Sequence, residues 1–557
     1  MLEHPLPLYL FLLCLLSSTF ACADELNIDA VDTLVTGYSQ PREPGISVAI
    51  ARDGTLIYEG WSGLADLERR VPIDRRTRFL IASISKQFTA FAVHTLAAAG
   101  KLRLDQPLTD FFPQLGAVGD TVTSRHLLDH TGGLREVNTL VQLLGLSESA
   151  PVTAEQMLAL TLRQKGANFP PGTDEEYSNT GYQLLAHIVA RVSGQSFPDY
   201  LQAKVFKPMG MSRSFVRTDP NALIEHAALG YEAVGDDLAH RPVLATGIGA
   251  TGMVSTPRDL VRWGHALNTA ERAGDPVLQA MAERTRLPDG RVVVAGSGQE
   301  FRAFRGLKTW SHGGSTGGFR SFLLRLPEEG IVLAVVGNRA DFLKAKFAFE
   351  LAAVLLEDKL DPVPTPDLRP ETLATLDRYV GDYRLFPGSV FSLRRSGEAL
   401  TFATYGADDA FELPWLSRGK FLLNPSRDIR LVFPGTDGSP ADHLRWQVSE
   451  DGYLRAERVE LAPLPVTRLD LRRFTGSFYS TELQCGFDVV EQDGTLFIET
   501  RLHDAVPLVQ YAPATFRPDG PVPFARLRFV TEGDAPARTI NVAAPLAEGI
   551  TFRRIEP

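Results

Sequence analysis

The stretch Phe79–His94 reads FLIASISKQFTAFAVH and places Ser83 and Lys86 three residues apart at the head of an apolar segment. Residues three apart share one face of a helix, and the first helical turn offers unpaired N–H groups and the positive end of the helix dipole. A hydroxyl there can become a nucleophile, and a partly desolvated lysine beside it loses its proton more readily. The alternative role for Ser83 is a helix cap, because the spacing alone is common; Ser417 and Lys420 also have it.

A second motif that fits this chemistry is Tyr177-Ser-Asn179, within the stretch NFPPGTDEEYSNTGY of residues 168–182. The Pro-Gly pair ahead of the tyrosine predicts a loop, and the apolar residues behind Asn179 predict a helix. A tyrosine with a lowered pKa can take the serine proton, and an amide two residues further on can hydrogen-bond a substrate carbonyl. Tyr177 could instead be a packed core aromatic.

A third motif is the histidine of WSHGGSTGGFRSF, residues 310–322. The two glycines that follow His312 allow a strand edge to approach a ligand closely. The pattern His-x-Gly is weak alone, since His130 and Gly132 also match it.

Composition and charge narrow the function classes. The chain has 557 residues, 44% hydrophobic and 22% charged, which is the balance of a globular protein of two or three domains. A formal net charge of −10, with no long cluster of Lys and Arg, argues against a nucleic-acid-binding protein and favours a small partner.

The N-terminus predicts export, and the cysteines argue against a disulfide framework. An apolar run from Leu8 to Leu16, followed by Ala21-Cys22-Ala23, indicates a signal peptide over residues 1–23 and a periplasmic location. Lipid anchoring at Cys22 is the less favoured alternative. After cleavage Cys485 is the only cysteine, so we expect no intramolecular disulfide and no cysteine-based metal site. We also expect no cofactor, and no membrane span because the apolar run from Leu8 to Leu16 is too short to cross a bilayer.

Prolines and a repeat divide the chain into domains. Residues 361–370, DPVPTPDLRP, contain four prolines and predict a linker after a mixed α and β domain over residues 24–360. Behind it, Tyr379–Tyr383 recurs as Phe474–Phe478 at an offset of about 95 residues. We therefore predict two copies of one antiparallel β domain, over residues 371–465 and 466–557.

In order and setting the three motifs resemble those of the serine beta-lactamase and penicillin-binding-protein family. Ser83-Ile-Ser-Lys86 matches S-x-x-K, Tyr177-Ser-Asn179 matches Y-x-N, and His312-Gly-Gly314 stands in place of K-T-G. The stretch TVTSRHLLDHTGGL, residues 121–134, is also similar, and the resemblance covers roughly residues 44–338. With His-Gly-Gly and two C-terminal β domains, the chain looks most like the D-stereospecific aminopeptidases. The resemblance implies a multidomain α+β protein in which a beta-lactamase-like domain precedes two small antiparallel eight-stranded β-barrels.

The resemblance also implies roles for the motif residues. Ser83 would attack the scissile carbonyl and form an acyl-enzyme, with Lys86 and Tyr177 moving the proton; which of these two is the base stays open. The backbone N–H groups of Ser83 and Ser315, the latter next to Gly314, would hold the oxyanion.

The third motif bears on the substrate. His312 is mostly neutral near pH 7, which favours substrates without a carboxylate beside the scissile bond, although Arg320 could supply a cation.

The expected function is release of N-terminal D-amino acids from peptides and amides. The alternatives are a D,D-carboxypeptidase, esterase or beta-lactamase of the same family, and a non-catalytic peptidoglycan-binding protein. The sequence does not fix the oligomeric state, and a homodimer is one option.

An aminopeptidase without a metal needs a negative charge to recognise the substrate ammonium group. In residues 515–524, TFRPDGPVPF, prolines predict a loop that leaves the sheet with Asp519 at its tip. We expect this loop to reach over the Ser83 cleft, with Glu175 and Glu176 as rival carboxylates.

Overall fold

The computed structural model describes eleven stretches of the chain. They are residues 26–363, 373–386, 389–404, 410–424, 429–434, 441–448, 452–460, 471–500, 504–520, 522–533 and 535–555. The predicted signal peptide, Cys22 and residues 364–370 of the predicted linker lie outside these ranges.

Residues 26–360 are built on one central antiparallel sheet. The strands of this region are β1 Ile46–Arg52, β2 Thr55–Ser62, β3 Leu64–Asp66, β4 Val71–Pro72, β5 Phe79–Leu80, β6 Phe215–Val216, β7 Tyr231–Val234, β8 Asp237–His240, β9 Met253–Ser255, β10 Ala295–Gly296, β11 Gln299–Phe304, β12 Leu307–Thr316, β13 Phe319–Leu326 and β14 Ile331–Gly337. Seven of them form the sheet, in the order β10-β11-β12-β13-β14-β1-β2. The short strands β5, β9 and β6 form a separate three-stranded sheet that carries the start of the Ser83 turn.

Helices cover both faces of the central sheet. They are α1 Ile28–Thr36, α2 Ser85–Ala98, α3 Gly116–Thr121, α4 Ser124–Leu128, α5 Val137–Leu143, α6 Ala154–Leu162, α7 Asn179–Ser193, α8 Phe197–Leu201, α9 Pro257–Arg272, α10 Pro276–Ala282 and α11 Lys344–Leu355. Because side chains alternate along a strand, Val332 and Ala334 of β14 pack in the core with α2, α7 and α9, while Leu333 and Val335 pack with α1 and α11. The predicted mixed α and β domain is therefore a three-layer structure.

The first β repeat is an open sheet in its hydrogen-bond order. After α12 Leu373–Leu376 its strands are β15 Gly381–Phe386, β16 Ser389–Ser396, β17 Ala399–Thr404, β18 Phe411–Glu412, β19 Trp415–Ser417, β20 Lys420–Asn424, β21 Ile429–Val432, β22 His443–Gln447 and β23 Tyr453–Val459. The order β18-β17-β16-β15-β23-β22-β21-β20-β19 leaves two ends. A closed eight-stranded barrel is thus not confirmed here, because the segment between Phe411 and Ser417 is split at Pro414, which has no N–H to continue a ladder.

The second β repeat is a closed barrel of eight strands, as predicted. They are β24 Gly476–Ser480, β25 Cys485–Gln492, β26 Thr495–Glu499, β27 Val506–Ala512, β28 Thr515–Pro518, β29 Arg526–Val530, β30 Thr539–Ala544 and β31 Ala547–Arg554, and β31 pairs back to β24. One detail of the prediction is wrong. Thr515–Pro518 stays in the sheet and pairs with β27, because the prolines of this segment begin only at the end of the strand, at Pro518.

The closed barrel shares a hydrophobic core with two helices of the first domain. Val137 and Leu140 of α5 and Leu160 of α6 pack in one cluster with barrel residues such as Phe487 and Phe552. Apolar contact of this kind is the main favourable term in association. The apolar side chains of α5 therefore pack on the barrel.

In the described residues, helices long and apolar enough to cross a bilayer are absent. Cys485 is a free, half-buried thiol, and burial raises its pKa to about 11.

Candidate active site

Ser83 lies at a sharp turn between a strand and a helix. The N–H of Ile81 donates to the carbonyl of Met253 (3.0 Å) and keeps β5 against β9 up to the turn. Ala82 then has a φ of +47°, a backbone conformation that residues other than glycine rarely adopt. Such conformations are enriched at functional sites. Ser83 follows in the single helical turn Ala82–Ile84, directly before α2. The turn places its hydroxyl at the helix N-terminus, as predicted.

Lys86 is fully buried beside this serine. Its Nζ donates to Ser83 Oγ (3.3 Å), to Asn179 Oδ1 (2.6 Å) and to the carbonyl of Ala250 (3.0 Å). Burial lowers the pKa of Lys86 from 10.5 to about 7. The nearby carboxylate of Glu136 has the opposite, smaller effect and raises this pKa. A large fraction of Lys86 is therefore neutral near pH 7 and can accept a proton.

Tyr177 packs over the same lysine. Its side chain hydrogen-bonds to Ser83, and its ring centroid lies 4.7 Å from Lys86 Nζ and 4.6 Å from the ring of His130. Burial raises the pKa of Tyr177 well above its usual value, with the hydrogen bond to Ser83 opposing this. The lowered pKa that the sequence argument required of this tyrosine is thus found on Lys86 instead.

Asn179, the first residue of α7, links Lys86 to a buried carboxylate. Its backbone N–H donates to Glu136 Oε2 (2.6 Å) and its Nδ2 donates to Glu136 Oε1 (2.8 Å), while its Oδ1 accepts from Lys86. Glu136 is 3% exposed. The carboxylate fixes the orientation of the amide, so that the amide oxygen faces the lysine.

The strand β12 brings the third motif to the nucleophile. A side chain on Gly314 would meet the carbonyl of Ile81 at 2.3 Å, so only glycine allows this strand to lie against the Ser83 turn. Ser315 follows on the strand and lines the same cavity as Ser83, while its side chain accepts from Lys344 Nζ (2.5 Å). Ser315 also pairs with Arg320 in the antiparallel ladder between β12 and β13, which fixes its place on the strand.

His312 is buried, with its ring centroid 6.2 Å from that of Tyr177. Its Nδ1–H donates to the carbonyl of Gly313 (2.7 Å). Burial lowers the pKa of His312 to about 4, so it is neutral at pH 7 and does not supply the cation of a lysine in this place.

The cavity at Ser83 has a volume of about 240 Å³, which suits a substrate smaller than most drug-sized ligands. Its polar lining includes Asn179, Glu148, Arg217 and Arg241. Glu148 Oε1 accepts from the N–H of Gly317 (2.6 Å) and lies 3.4 Å from Arg241 Nη2.

Four charged residues proposed from the sequence do not line the Ser83 cavity: Arg320, Glu175, Glu176 and Asp519. The guanidinium of Arg320 donates to the carbonyls of its own turn and is not among the residues lining the cavity. Glu175 accepts from the N–H groups of Val294 and Ala295, and Glu176 accepts from Asn168.

Asp519 is exposed and does not line the Ser83 cavity. The residues before it, Arg517 and Pro518, line a different cavity between the two β domains. The last barrel instead reaches the first domain through another hairpin, where the Leu546 carbonyl accepts from the N–H of Glu136 (2.9 Å). The barrel does approach the site, but with a part of its chain that the proline argument could not identify.

Four residues of the site were not singled out from the sequence: Glu136, Glu148, Arg217 and Arg241. Glu136 follows HTGGLR directly, so its nearness to that stretch was the available signal. Glu148 and Arg217 belong to no motif, and only the fold brings them to Ser83. Among the described residues, groups of His, Cys, Asp and Glu arranged to hold a metal ion are absent.

Comparison with known proteins agrees with this geometry. The Beta-lactamase family matches residues 30–356 of the chain. The D-aminopeptidase of Cereibacter sphaeroides is 26% identical over 95% of this chain and 100% of its own length. Penicillin-binding protein 4* of Bacillus subtilis is 28% identical over 64% of this chain and 82% of its own.

A solved structure gives the same picture for the first domain. The D-amino acid amidase from Ochrobactrum anthropi SV3, complexed with D-phenylalanine, is 27% identical with a TM-score of 0.52. The match covers 59% of this chain and 98% of the amidase.

Proposed function

The chain belongs to the Beta-lactamase family, and from this premise we propose that it is a serine hydrolase that releases N-terminal D-amino acids from peptides and amides. The observation that carries the proposal is the fully buried Lys86, with its Nζ 3.3 Å from Ser83 Oγ and a pKa lowered to about 7. The D-aminopeptidases and the D-amino acid amidase among its relatives support the substrate class. The preference for D over L residues comes from these relatives.

The contacts of Ser83 support a two-step acyl transfer. Neutral Lys86 takes the proton of Ser83 Oγ as this oxygen bonds to the carbonyl carbon, and the N–H groups of Ser83 and Ser315 stabilise the oxyanion. The C–N bond then breaks, and the leaving nitrogen receives a proton passed through Tyr177. Water then attacks the acyl carbon and gives a proton to Lys86, the ester bond to Ser83 Oγ breaks, and Lys86 returns this proton to Oγ as the amino acid leaves. Lys86 is our candidate for the base, because the pKa of Tyr177 is raised and that of Lys86 is lowered.

The substrate ammonium group needs a carboxylate, and Glu148 replaces Asp519 as our candidate. Among the described residues that line the cavity, Glu148 is the carboxylate. Its side chain is one-third exposed, so a ligand can reach it. An ammonium group there would form a charge-assisted hydrogen bond.

A panel of five substrates tests this proposal. We expect turnover of D-alanine p-nitroanilide, much slower turnover of its L enantiomer and of p-nitrophenyl acetate, and no turnover of nitrocefin or labelling by a tagged penicillin. Hydrolysis of nitrocefin or stable labelling by penicillin, without hydrolysis of the anilide, would support the beta-lactamase or D,D-carboxypeptidase alternative instead. Inactivity toward all five would favour a peptidoglycan-binding protein.

Three finer points are also proposals. The acyl-enzyme is tested by mass spectrometry of the protein quenched during turnover, where one acyl group should be attached to Ser83. Export to the periplasm with cleavage after Ala23 is tested by cell fractionation and N-terminal sequencing. A homodimer in solution is tested by light scattering on the purified protein.

A further inference from the structure

The described part of the first domain, residues 26–363, buries four arginines, and three of them face a carboxylate. Arg135 pairs with Glu482 (2.6 Å), Arg291 pairs with Asp289 (2.6 Å), and Arg325 pairs with Glu271 (3.3 Å). This is the usual arrangement, because an unpaired buried charge costs several kcal/mol. The fourth arginine, Arg217, lies in the wall of the Ser83 cavity.

Arg217 makes no ion pair with the residues that the structure describes. It is 8% exposed, its Nη2 donates to the carbonyl of Ala245 (3.1 Å), and its Nε has no partner among them. Burial lowers the pKa of Arg217, while the exposed Asp219 raises it through space without forming an ion pair. The guanidinium is therefore a buried cation with donors still to be satisfied.

The position of Arg217 connects it to the catalytic lysine. Its backbone N–H donates to the carbonyl of Gly252 (2.8 Å), two residues beyond Ala250, whose carbonyl accepts from Lys86. The segment from Ala250 to Gly252 thus borders both groups. Arg217 is held on the wall of the cavity by the same segment that fixes Lys86.

The other cation of the cavity is already compensated. Arg241 Nη1 lies 2.5 Å from Glu232 Oε2, and Arg241 Nη2 lies 3.4 Å from Glu148 Oε1. His312 is neutral at pH 7. The positive charge that awaits an anion in this cavity is therefore on Arg217.

We propose that Arg217 is a carboxylate-binding subsite of the Ser83 cavity, so that the preferred substrate carries a carboxylate close to the scissile bond. A guanidinium binds a carboxylate through two parallel hydrogen bonds, and Arg217 has the donors for them. This inference rests on the proposed hydrolysis at Ser83. It reverses the expectation, drawn from His312, that the substrate lacks such a group.

The carboxylate can come from two sources. One is the free α-carboxylate of the leaving residue in a dipeptide, and the other is the side chain of an N-terminal acidic D-residue. A cavity of about 240 Å³ is small enough for either. Both sources present the same chemistry to Arg217, and matched pairs of substrates separate them.

The experiment compares each acid with its isosteric amide. The pairs are D-alanyl-D-alanine with D-alanyl-D-alaninamide, and D-aspartate p-nitroanilide with D-asparagine p-nitroanilide. In the wild-type protein we expect the acid to have a KM lower by about 10- to 100-fold in one of the two pairs. The pair that shows the difference identifies the source. This measurement needs no variant.

Variants then assign the preference to Arg217. Arg217→Met should abolish the difference between acid and amide by raising the KM of the acid, and Arg217→Lys should retain part of it. The control is Arg213→Met, which removes the same charge four residues away, outside the cavity lining. A merely structural role would change acid and amide alike.

The proposal is overturned if the wild type shows no preference in either pair, or if Arg217→Met leaves the preference unchanged. N-acetyl-D-alanyl-D-alanine separates this outcome from failure of the proposed function. If the acetylated acid is cleaved better than the free-amine acid, and Arg217→Met removes its advantage over the acetylated amide, the aminopeptidase proposal fails while the carboxylate subsite stands. Calorimetric binding of acid and amide to the Ser83→Ala protein repeats the comparison without turnover.

Discussion

The backbone N–H of Glu136 donates to the carbonyl of Leu546 at 2.9 Å, so the last barrel contacts a residue that is linked to Lys86 through one side chain, that of Asn179. The side chain of Glu136 holds Asn179, and Asn179 in turn holds the lysine. Arg135, the neighbouring residue, pairs with Glu482 of the barrel and donates to the carbonyls of two further barrel residues, Glu548 and Gly549. Lys86 is thus positioned partly by the last barrel, whose described residues do not line the Ser83 cavity.

The pair of Arg135 and Glu482 should be costly to break. Both side chains are largely buried, at 3% and 11% exposure, so Arg135→Met leaves an unpaired carboxylate at the interface. We expect a loss of about 3–5 kcal/mol in the free energy of unfolding, measured by urea denaturation. The double variant Arg135→Met/Glu482→Leu should recover part of it. Arg125→Met is the control, because its exposed pair with Glu283 contributes about 1 kcal/mol or less. Equal effects of the two single variants would contradict the assignment.

Ser83→Ala should abolish hydrolysis of D-alanine p-nitroanilide and leave the fold intact, because it deletes one hydroxyl that only acyl transfer requires. Loss of a nucleophile lowers kcat by about a thousandfold or more. The matched control is Ser417→Ala, at the second Ser-x-x-Lys spacing of the chain. Ser417 is exposed at the end of β19, and this variant should retain full activity. A folded Ser83→Ala protein with wild-type rates would refute the site.

The pH dependence of kcat/KM should report the ionisation of Lys86. A base must be unprotonated to accept the serine proton, so the rate should rise with pH and level off above the pKa of Lys86, at about 7. The measurement is a profile of kcat/KM for D-alanine p-nitroanilide from pH 5 to pH 8. A profile that is flat across pH 7 would exclude Lys86 as the base.

Glu136→Gln should move the rising part of this kcat/KM profile to lower pH. The carboxylate raises the pKa of Lys86, so its removal lowers that pKa and leaves more of the lysine neutral at a given pH. The plateau should fall at the same time, because Asn179 loses a charge-assisted hydrogen bond. Glu283→Gln, an exposed change, is the control and should leave the rising part in place. A shift to higher pH would be opposite in sign and would overturn this account.

Glu148→Gln should weaken recognition of the substrate amine. The amide keeps the shape of the side chain but loses its charge, so KM for D-alanine p-nitroanilide should rise about tenfold. Turnover of p-nitrophenyl acetate, which has no ammonium group, should change less than about twofold. If both substrates suffer equally, Glu148 supports the β12–β13 turn through Gly317 and does not bind the amine.

The arrangement of residues within each motif was predictable from sequence because each motif is local. Ser83 and Lys86 lie one helical turn apart, and Tyr177 and Asn179 lie at the start of α7, so spacing alone fixes their relative positions. Asp519 was not predictable in the same way. Prolines indicate that a segment leaves a sheet, but the direction in which it then runs depends on how the barrel packs.

Arg217 and Glu148 are site residues that could not be identified from the sequence at all. Both are charged residues in segments without periodicity, and charge is most often exposed. Their functional reading depends on burial and on which carboxylates lie within reach, and neither is encoded at short range. Likewise, the fourth strand of the first repeat is split at Pro414 into β18 and β19. The equivalent strand of the second repeat, β27, is continuous.

The core shared by α5 and the last barrel sets an order for biosynthesis. The helix that forms one wall of the cavity, with Asn138 and Val141 in the lining, packs its apolar side chains on strands that lie more than 300 residues further along the chain. A nascent chain that has passed residue 360 contains Ser83, Lys86 and Tyr177 but not the surface that supports this wall. The hydrolase should therefore acquire activity only after the barrel strands have been translated, and proteolytic removal of the barrel should abolish the activity.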